Sequence, residues 1–140
     1  MQRQLDDKTF VCGQITPDEV PAIKDLGVTM IVNNRPDNED EGQPSSAEIE
    51  AATHAAGLEY RHIPIVRGMG PADVEAMREA IGTVAASPGG KMVAFCRSGN
   101  RSALAWAVAQ SENGVAREEL DRCADGAGFS LAPVAHLLRD

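Results

Sequence analysis

The stretch KMVAFC at residues 91–96 is apolar at every position from Met92 onward and is followed at once by the small, polar residues RSGN. A strand with one wet face alternates apolar and polar residues. A short run that is apolar throughout belongs instead to a strand buried on both faces, as in a parallel sheet covered by helices on each side. From Arg101 the pattern RSALAWAVAQSENG is helical, rich in alanine, with Trp106 placed for the core and Gly114 at the stop. A buried strand, a tight loop and a helix therefore meet at Cys96. Beyond the carboxyl ends of the strands is where open α/β sheets bind their ligands.

The rest of the chain fits around that junction. TFVCGQI predicts a first short strand, and Thr16 to Glu19 predicts a helix start with proline at the first helical position. Val20, Ile23 and Leu26 supply its buried stripe, Gly27 ends it, and Pro21 shortens or bends it. VTMIVNN is the next strand and runs into the polar loop RPDNEDEGQPSS. Ser45 to Glu48 repeats the capping pattern ahead of Ile49, Ala52 and Ala56, with Gly57 at the stop. LEYRHIPIV is a third strand, and Val74, Met77, Ile81 and Val84 mark one face of a helix that ends near SPGG. AREELDRCADGAG and LAPVAHLLRD predict two further helices. With no internal repeat, this alternation predicts one α/β domain over residues 1–140, a mostly parallel central sheet flanked by helices.

Composition narrows the chemistry. An apolar fraction of 43% supports a real core, whereas 13 Lys and Arg against 21 Asp and Glu, a net charge of -8, argue against a nucleic-acid surface. Any anion site must be local. The N-terminus MQRQLDDKTF has no apolar segment of signal-peptide length, and no 18 consecutive apolar residues occur, so a cytoplasmic protein with no membrane partner is expected. Cys12, Cys96 and Cys123 are odd in number and widely spaced, which fits neither a disulfide framework nor a zinc motif. His54, His62 and His136 have no metal-type spacing with them, so neither a metal nor another cofactor is expected.

What remains is the chemistry of Cys96. In a tight loop of Arg97, Ser98, Gly99 and Asn100, successive backbone N–H groups and the open donors of a helix N-terminus converge on a negative group. The same field favours thiolate over thiol and makes a cysteine nucleophilic. Arg101 adds a planar, permanently charged fork for two oxygens of an oxyanion, and Ser102 is placed to hydrogen-bond the sulfur. Arg35, after the strand VTMIVNN, is a second candidate for binding substrate anions, with a salt bridge to the acidic loop as its structural alternative. The alternative for Cys96 is a buried cysteine before an ordinary turn. A positive residue in the first helical turn opposes the helix dipole, which favours a functional purpose for Arg101. Cys12 and Cys123 read as packing residues.

At these residues the sequence resembles a known family. CGQITPDEV, IVNNRPDNEDEGQPSSAEIEAATHAAGLEYRHIPI and FCRSGNRSALAWA together resemble the bacterial beta-lactamase-hydrolase-like phosphatase domain, a relative of the protein tyrosine and dual-specificity phosphatases. That domain also occurs fused to metallo-beta-lactamase-fold persulfide enzymes. The resemblance implies a phosphatase-like fold, Cys96 as nucleophile and Arg101 as anion-binding arginine.

Two departures stand out. The tyrosine-phosphatase pattern has His before the cysteine and one more residue between Cys and Arg; here Phe95 precedes Cys96 and only Arg97 to Asn100 intervene. The shorter loop resembles that of rhodanese-type sulfurtransferases. Arg67 stands near where dual-specificity phosphatases carry an acidic general acid, and the next carboxylate, Asp73, is equally suited to a helix start. Asp37 and Asp40 lie in a loop that can reach the same face. The leading expectation is phosphomonoester hydrolysis through a phosphocysteine, on a phosphorylated or other oxyanion substrate. The rivals are a sulfurtransferase carrying a Cys96 persulfide and a non-catalytic anion-binding module.

Overall fold

The computed structural model describes residues 2–139. Five strands form one sheet in the order β1-β2-β5-β3-β4, where β1 is Arg3–Asp6, β2 Thr9–Cys12, β3 Met30–Asn33, β4 Glu59–His62 and β5 Met92–Phe95. β1 pairs antiparallel with β2, and every other pairing is parallel. The mostly parallel sheet expected from KMVAFC is present, with β5 at its centre and all four of its residues buried.

Alternate residues of β5 serve two cores. Met92 and Ala94 pack on the face covered by α3 (Pro71–Ala86), α4 (Asn100–Glu112) and α5 (Arg117–Ala127), with Met77, Trp106 and Leu120. Val93 and Phe95 face α1 (Val20–Asp25) and α2 (Ser46–Ala55), with Ile23 and Ile49. Each of the valine, leucine, isoleucine, methionine and phenylalanine side chains contributes about 1.5–3 kcal/mol of transfer free energy. This double burial is why the run has no polar position.

Local chemistry sets the helix ends. Glu48 N–H donates to Ser45 Oγ at 3.1 Å and Ser45 N–H donates to Glu48 Oε1 at 3.1 Å, the reciprocal cap predicted for α2. Pro21 is accommodated because the helix around it is short: a 3-10 turn over Pro17–Glu19 precedes the six-residue α1, and Pro21 sits in its first turn, where no N–H is required.

Three expectations are corrected. β1 precedes the strand taken as first, and RQLD carries only Leu5 into the core, too little apolar pattern to announce a strand. The third strand contracts to Glu59–His62, because Ile63 and Ile65 N–H groups bond to Asn33 and Asn34 carbonyls in an irregular exit. The C-terminal segment LAPVAHLLRD forms a 3-10 helix over Ala132–Leu137 rather than an α-helix, with Pro133 near its start and Val134 its buried residue. Among the described residues, no helix is long and apolar enough to cross a membrane.

Candidate active site

The parallel strands end level. Cys12, Phe95, Asn33 and His62 form one row across β2, β5, β3 and β4, so the residues that follow them share one edge of the sheet. Cys96 leaves the central strand of that row, flanked by Gly13 and Gln14 on one side and Asn34 and Arg35 on the other. Its backbone is fixed from both neighbours: Cys96 N–H donates to the Cys12 carbonyl at 3.3 Å, and Asn34 N–H donates to the Phe95 carbonyl at 2.8 Å.

Cys96 is 1% exposed and lies at the base of a loop that turns straight into α4. The Gly99 N–H donates to its Sγ at 3.1 Å, so the backbone donor expected for a negative group is directed at the sulfur. Gly99 has φ +94°, and a Cβ there would meet the Cys12 carbonyl and the Phe129 ring at 3.3 Å. Glycine is required here by both conformation and space. Gly13 has a different reason: its Cβ would stand 2.9 Å from the Arg97 carbonyl, so the loop backbone passes directly over β2's exit. Arg97, Ser98 and Asn100 are exposed around the rim, with Asn100 N–H donating to Ser98 Oγ at 3.4 Å.

Arg101 reaches across this edge. Its Nη1 donates to the Ile65 carbonyl at 2.9 Å and to Glu39 Oε2 at 2.9 Å, while Nη2 donates to Glu39 Oε1 at 2.6 Å. Glu39 also accepts from Arg35 Nε at 2.8 Å. Hydrogen bonding to Arg101, assisted by Arg35, pulls the Glu39 carboxyl down to about 2 from an ordinary value of 4.5, so it is an anion throughout the neutral range. In return Glu39, and secondarily the neighbouring Cys96, raise the basicity of Arg101.

Arg35 is 2% exposed, and its charge is fully engaged: Nη1 donates to Gln14 Oε1 at 2.8 Å and Nη2 to Asp40 Oδ2 at 2.6 Å, beside the Glu39 contact. Asp40 also meets Arg97 at 3.2 Å. The salt bridge to the acidic loop, weighed as the structural alternative for Arg35, is therefore its observed state. Arg35 organises the loop against Arg101, and His62 Nε2–H secures its carbonyl at 2.7 Å.

Ser102 is corrected. It is completely buried and its hydroxyl donates to Asn34 Oδ1 at 2.7 Å, not to the cysteine sulfur. Asn34 in turn donates to the Ile63 carbonyl at 3.0 Å, so this pair ties α4 to the exits of β3 and β4. Asp73 accepts from Gly70 N–H at 3.0 Å, the helix-start role its position suggested. Asp37 accepts from Ser46 N–H at 2.7 Å and thus supports α2 rather than the cysteine loop. Cys12 lies in β2, and burial pushes its thiol up to about 12. Cys123 is partly exposed on α5, where burial and nearby carboxylates raise it as well.

Glu39, Gln14 and Gly13 were not singled out by sequence. Glu39 has one signal, its spacing of four residues from Arg35. Among the described residues no cluster of His, Cys, Asp and Glu is arranged to hold a metal ion.

A cysteine at the end of the central strand, a glycine-turned loop and an arginine on the following helix define a phosphatase-like α/β domain. The structure superposes on a candidate phosphatase from Neisseria meningitidis with a TM-score of 0.79 at 32% identity, covering 96% of this chain and 94% of that one. The fold also matches kinase associated phosphatase, in a form with serine at its catalytic-site cysteine, with a TM-score of 0.72 at 15% identity over 97% and 89% of the two chains. Residues 2–113 match the family described as beta-lactamase hydrolase-like protein, phosphatase-like domain, and the chain belongs to that family. A beta-lactamase hydrolase-like protein of Xylella fastidiosa is 30% identical over 129 residues, which cover 91% of this chain and 29% of that protein. The chain thus spans less than a third of that relative's length.

Proposed function

We propose that this domain hydrolyses phosphomonoesters, with Cys96 as nucleophile and Arg101 as oxyanion clamp. The observation that carries the reading is the Gly99 N–H on Cys96 Sγ at 3.1 Å, at the start of a 13-residue helix and beside Arg101. A backbone donor already aimed at the sulfur stabilises negative charge there, on the attacking thiolate and again when the sulfur leaves phosphorus, without reorganisation.

In the first step the Cys96 thiolate attacks phosphorus, an S–P bond forms, and the P–O bond to the alcohol breaks with its electron pair leaving on oxygen. In the second, water attacks the phosphocysteine, the P–S bond breaks, and inorganic phosphate and the thiolate are released. The leaving oxygen takes its proton from solvent. Of the carboxylates weighed for that task, Asp73 is committed to its helix start and Asp40 to Arg35. Glu39 is held ionised by two arginines. Leaving groups stable as anions, such as phenolates, are therefore favoured.

A second reading, sulfur transfer through a Cys96 persulfide, is supported by the four residues between Cys96 and Arg101, which enclose a smaller space than the longer phosphatase loop. Parallel assays on an aryl phosphate and on a sulfane-sulfur donor with cyanide as acceptor separate the two. We expect phosphate release that Cys96→Ser abolishes; sulfur transfer without phosphate release contradicts the reading.

A further inference from the structure

Beside Arg101 the surface opens into a cleft of about 380 Å³ between the segment after β4, the start of α4 and the C-terminal 3-10 helix. Its walls are apolar, with Val66, Leu104, Val134 and Leu137 among them. Val66 is 63% exposed and Leu137 37%, and only Leu26 is comparable among the described large apolar residues. Exposed apolar side chains gathered on one concavity mark a binding surface more than scattered ones do. The size lies in the range of small-molecule sites.

The cleft also carries one uncompensated cation in a chain whose net charge is -8, because Glu39 already meets the charge of Arg101 but not that of Arg67. Arg101 forms its inner wall and Arg67 stands on it as an exposed cation with no ion-pair partner among the described residues. Arg101 contacts the Ile65 carbonyl at 2.9 Å, so the cleft begins where the cysteine loop's clamp ends.

Building on the proposed reaction, we propose that this cleft is the leaving-group subsite, and that it selects small organic phosphomonoesters with an apolar body bearing a second anionic group. The phosphoryl group sits over Cys96, the apolar body lies along Arg101 between Val66 and Leu137, and the second anion meets Arg67. That geometry places an apolar surface against an apolar wall and pairs a cation otherwise left to water.

Binding to the Cys96→Ser chain tests this without turnover, using inorganic phosphate, phenyl phosphate, 2-naphthyl phosphate and 6-carboxy-2-naphthyl phosphate in calorimetry. We expect naphthyl to bind about tenfold more tightly than phenyl phosphate, from the added ring area removed from water. The carboxylate should add about threefold more, as an exposed ion pair does. Adding Val66→Ser and Leu137→Ser should erase the naphthyl gain, and Arg67→Ala the carboxylate gain, while inorganic phosphate binds as before. A naphthyl gain that survives the double substitution, or a carboxylate gain that survives Arg67→Ala, overturns the subsite. Equal binding of phenyl and naphthyl phosphates overturns it too. Failure of the unsubstituted protein to release phosphate from all three esters is a different result: it removes the proposed reaction and leaves the binding comparison standing.

Discussion

Glu39 holds Arg101 end-on, one carboxylate oxygen on each terminal nitrogen at 2.9 and 2.6 Å. This is the same planar, two-point grip that an arginine uses on a phosphate. The carboxylate thus both orients the guanidinium and occupies the edge an incoming oxyanion needs. Glu39→Gln weakens that competition while keeping a similar shape. Oxyanions such as vanadate should then bind about two- to fivefold more tightly, equivalent to about 0.4–1 kcal/mol for a partly exposed pair. Isothermal titration with vanadate checks it, and weaker binding would mean that orienting Arg101 outweighs competing for it.

The same pair makes a pH prediction. The folded-state value of Glu39 is lowered to about 2 from 4.5, so its contribution to stability is complete above about pH 4.5 and is lost as pH falls toward 2. Urea midpoints of the unsubstituted protein and Glu39→Gln should therefore differ by a constant amount above pH 5 and converge between pH 4.5 and 2. A difference that persists unchanged to pH 2 contradicts the ion pair.

The three cysteines should separate by reactivity. Cys12 is buried with its thiol pushed up to about 12 and should resist alkylation near neutral pH. Cys123 is partly exposed but also raised. Cys96 has a directed N–H and Arg101 beside it. Cys96 and Cys12 are both buried, so their comparison isolates activation from access: we expect iodoacetamide to label Cys96 faster than Cys12 at pH 7 and vanadate to protect it, read by peptide mass spectrometry. Labelling of Cys96 no faster than the similarly buried Cys12, or labelling that vanadate does not slow, contradicts an activated thiolate.

Gly99→Ala should be disruptive although it adds one methyl group. The left-handed backbone costs about 1–2 kcal/mol for an alanine. The added carbon also presses on the Cys12 carbonyl and Phe129 at 3.3 Å. Thermal unfolding should shift down, and vanadate binding should weaken even at temperatures where the variant is fully folded. Unaltered anion binding in the folded variant would show that the cradle does not depend on the left-handed backbone at Gly99.

Asp73→Asn should cost only about 0.3–1 kcal/mol of stability, since a carboxylate near a helix start is partly replaced by an amide that still accepts from Gly70 N–H. Rates on aryl and alkyl phosphates should be unchanged. A loss of about 10²-fold confined to alkyl phosphates would instead make Asp73 a general acid.

The central junction was legible in sequence because several independent constraints coincide there. Double burial removes every polar residue from Met92–Phe95, Gly99 is the only residue type that suits the turn, and the alanine-rich run lets α4 lie buried from Ser102 to Ala109. The partners of Arg101 were not legible. DNEDE has the composition of a solvated loop, and only the fold shows it doubling back, with Asn38 at φ +63°, to bring Glu39 and Asp40 onto Arg35, Arg97 and Arg101. Ser102 misled for a related reason. A hydroxyl next to Arg101 at a helix start can turn either way, and the buried amide of Asn34, 68 residues earlier, decides it. Strand β1 escaped because an edge strand held by one neighbour needs only one buried residue, Leu5.

The most direct test of the account is to trap the covalent intermediate. The protein is mixed with an aryl phosphate, quenched in acid within the first turnover and analysed by peptide mass spectrometry. The account predicts a phosphoryl adduct confined to the peptide carrying Cys96, absent from Cys96→Ser and strongly reduced in Arg101→Ala. Phosphate release without that adduct, or a persulfide on Cys96 as the only modification formed in turnover with a sulfur donor, would contradict it.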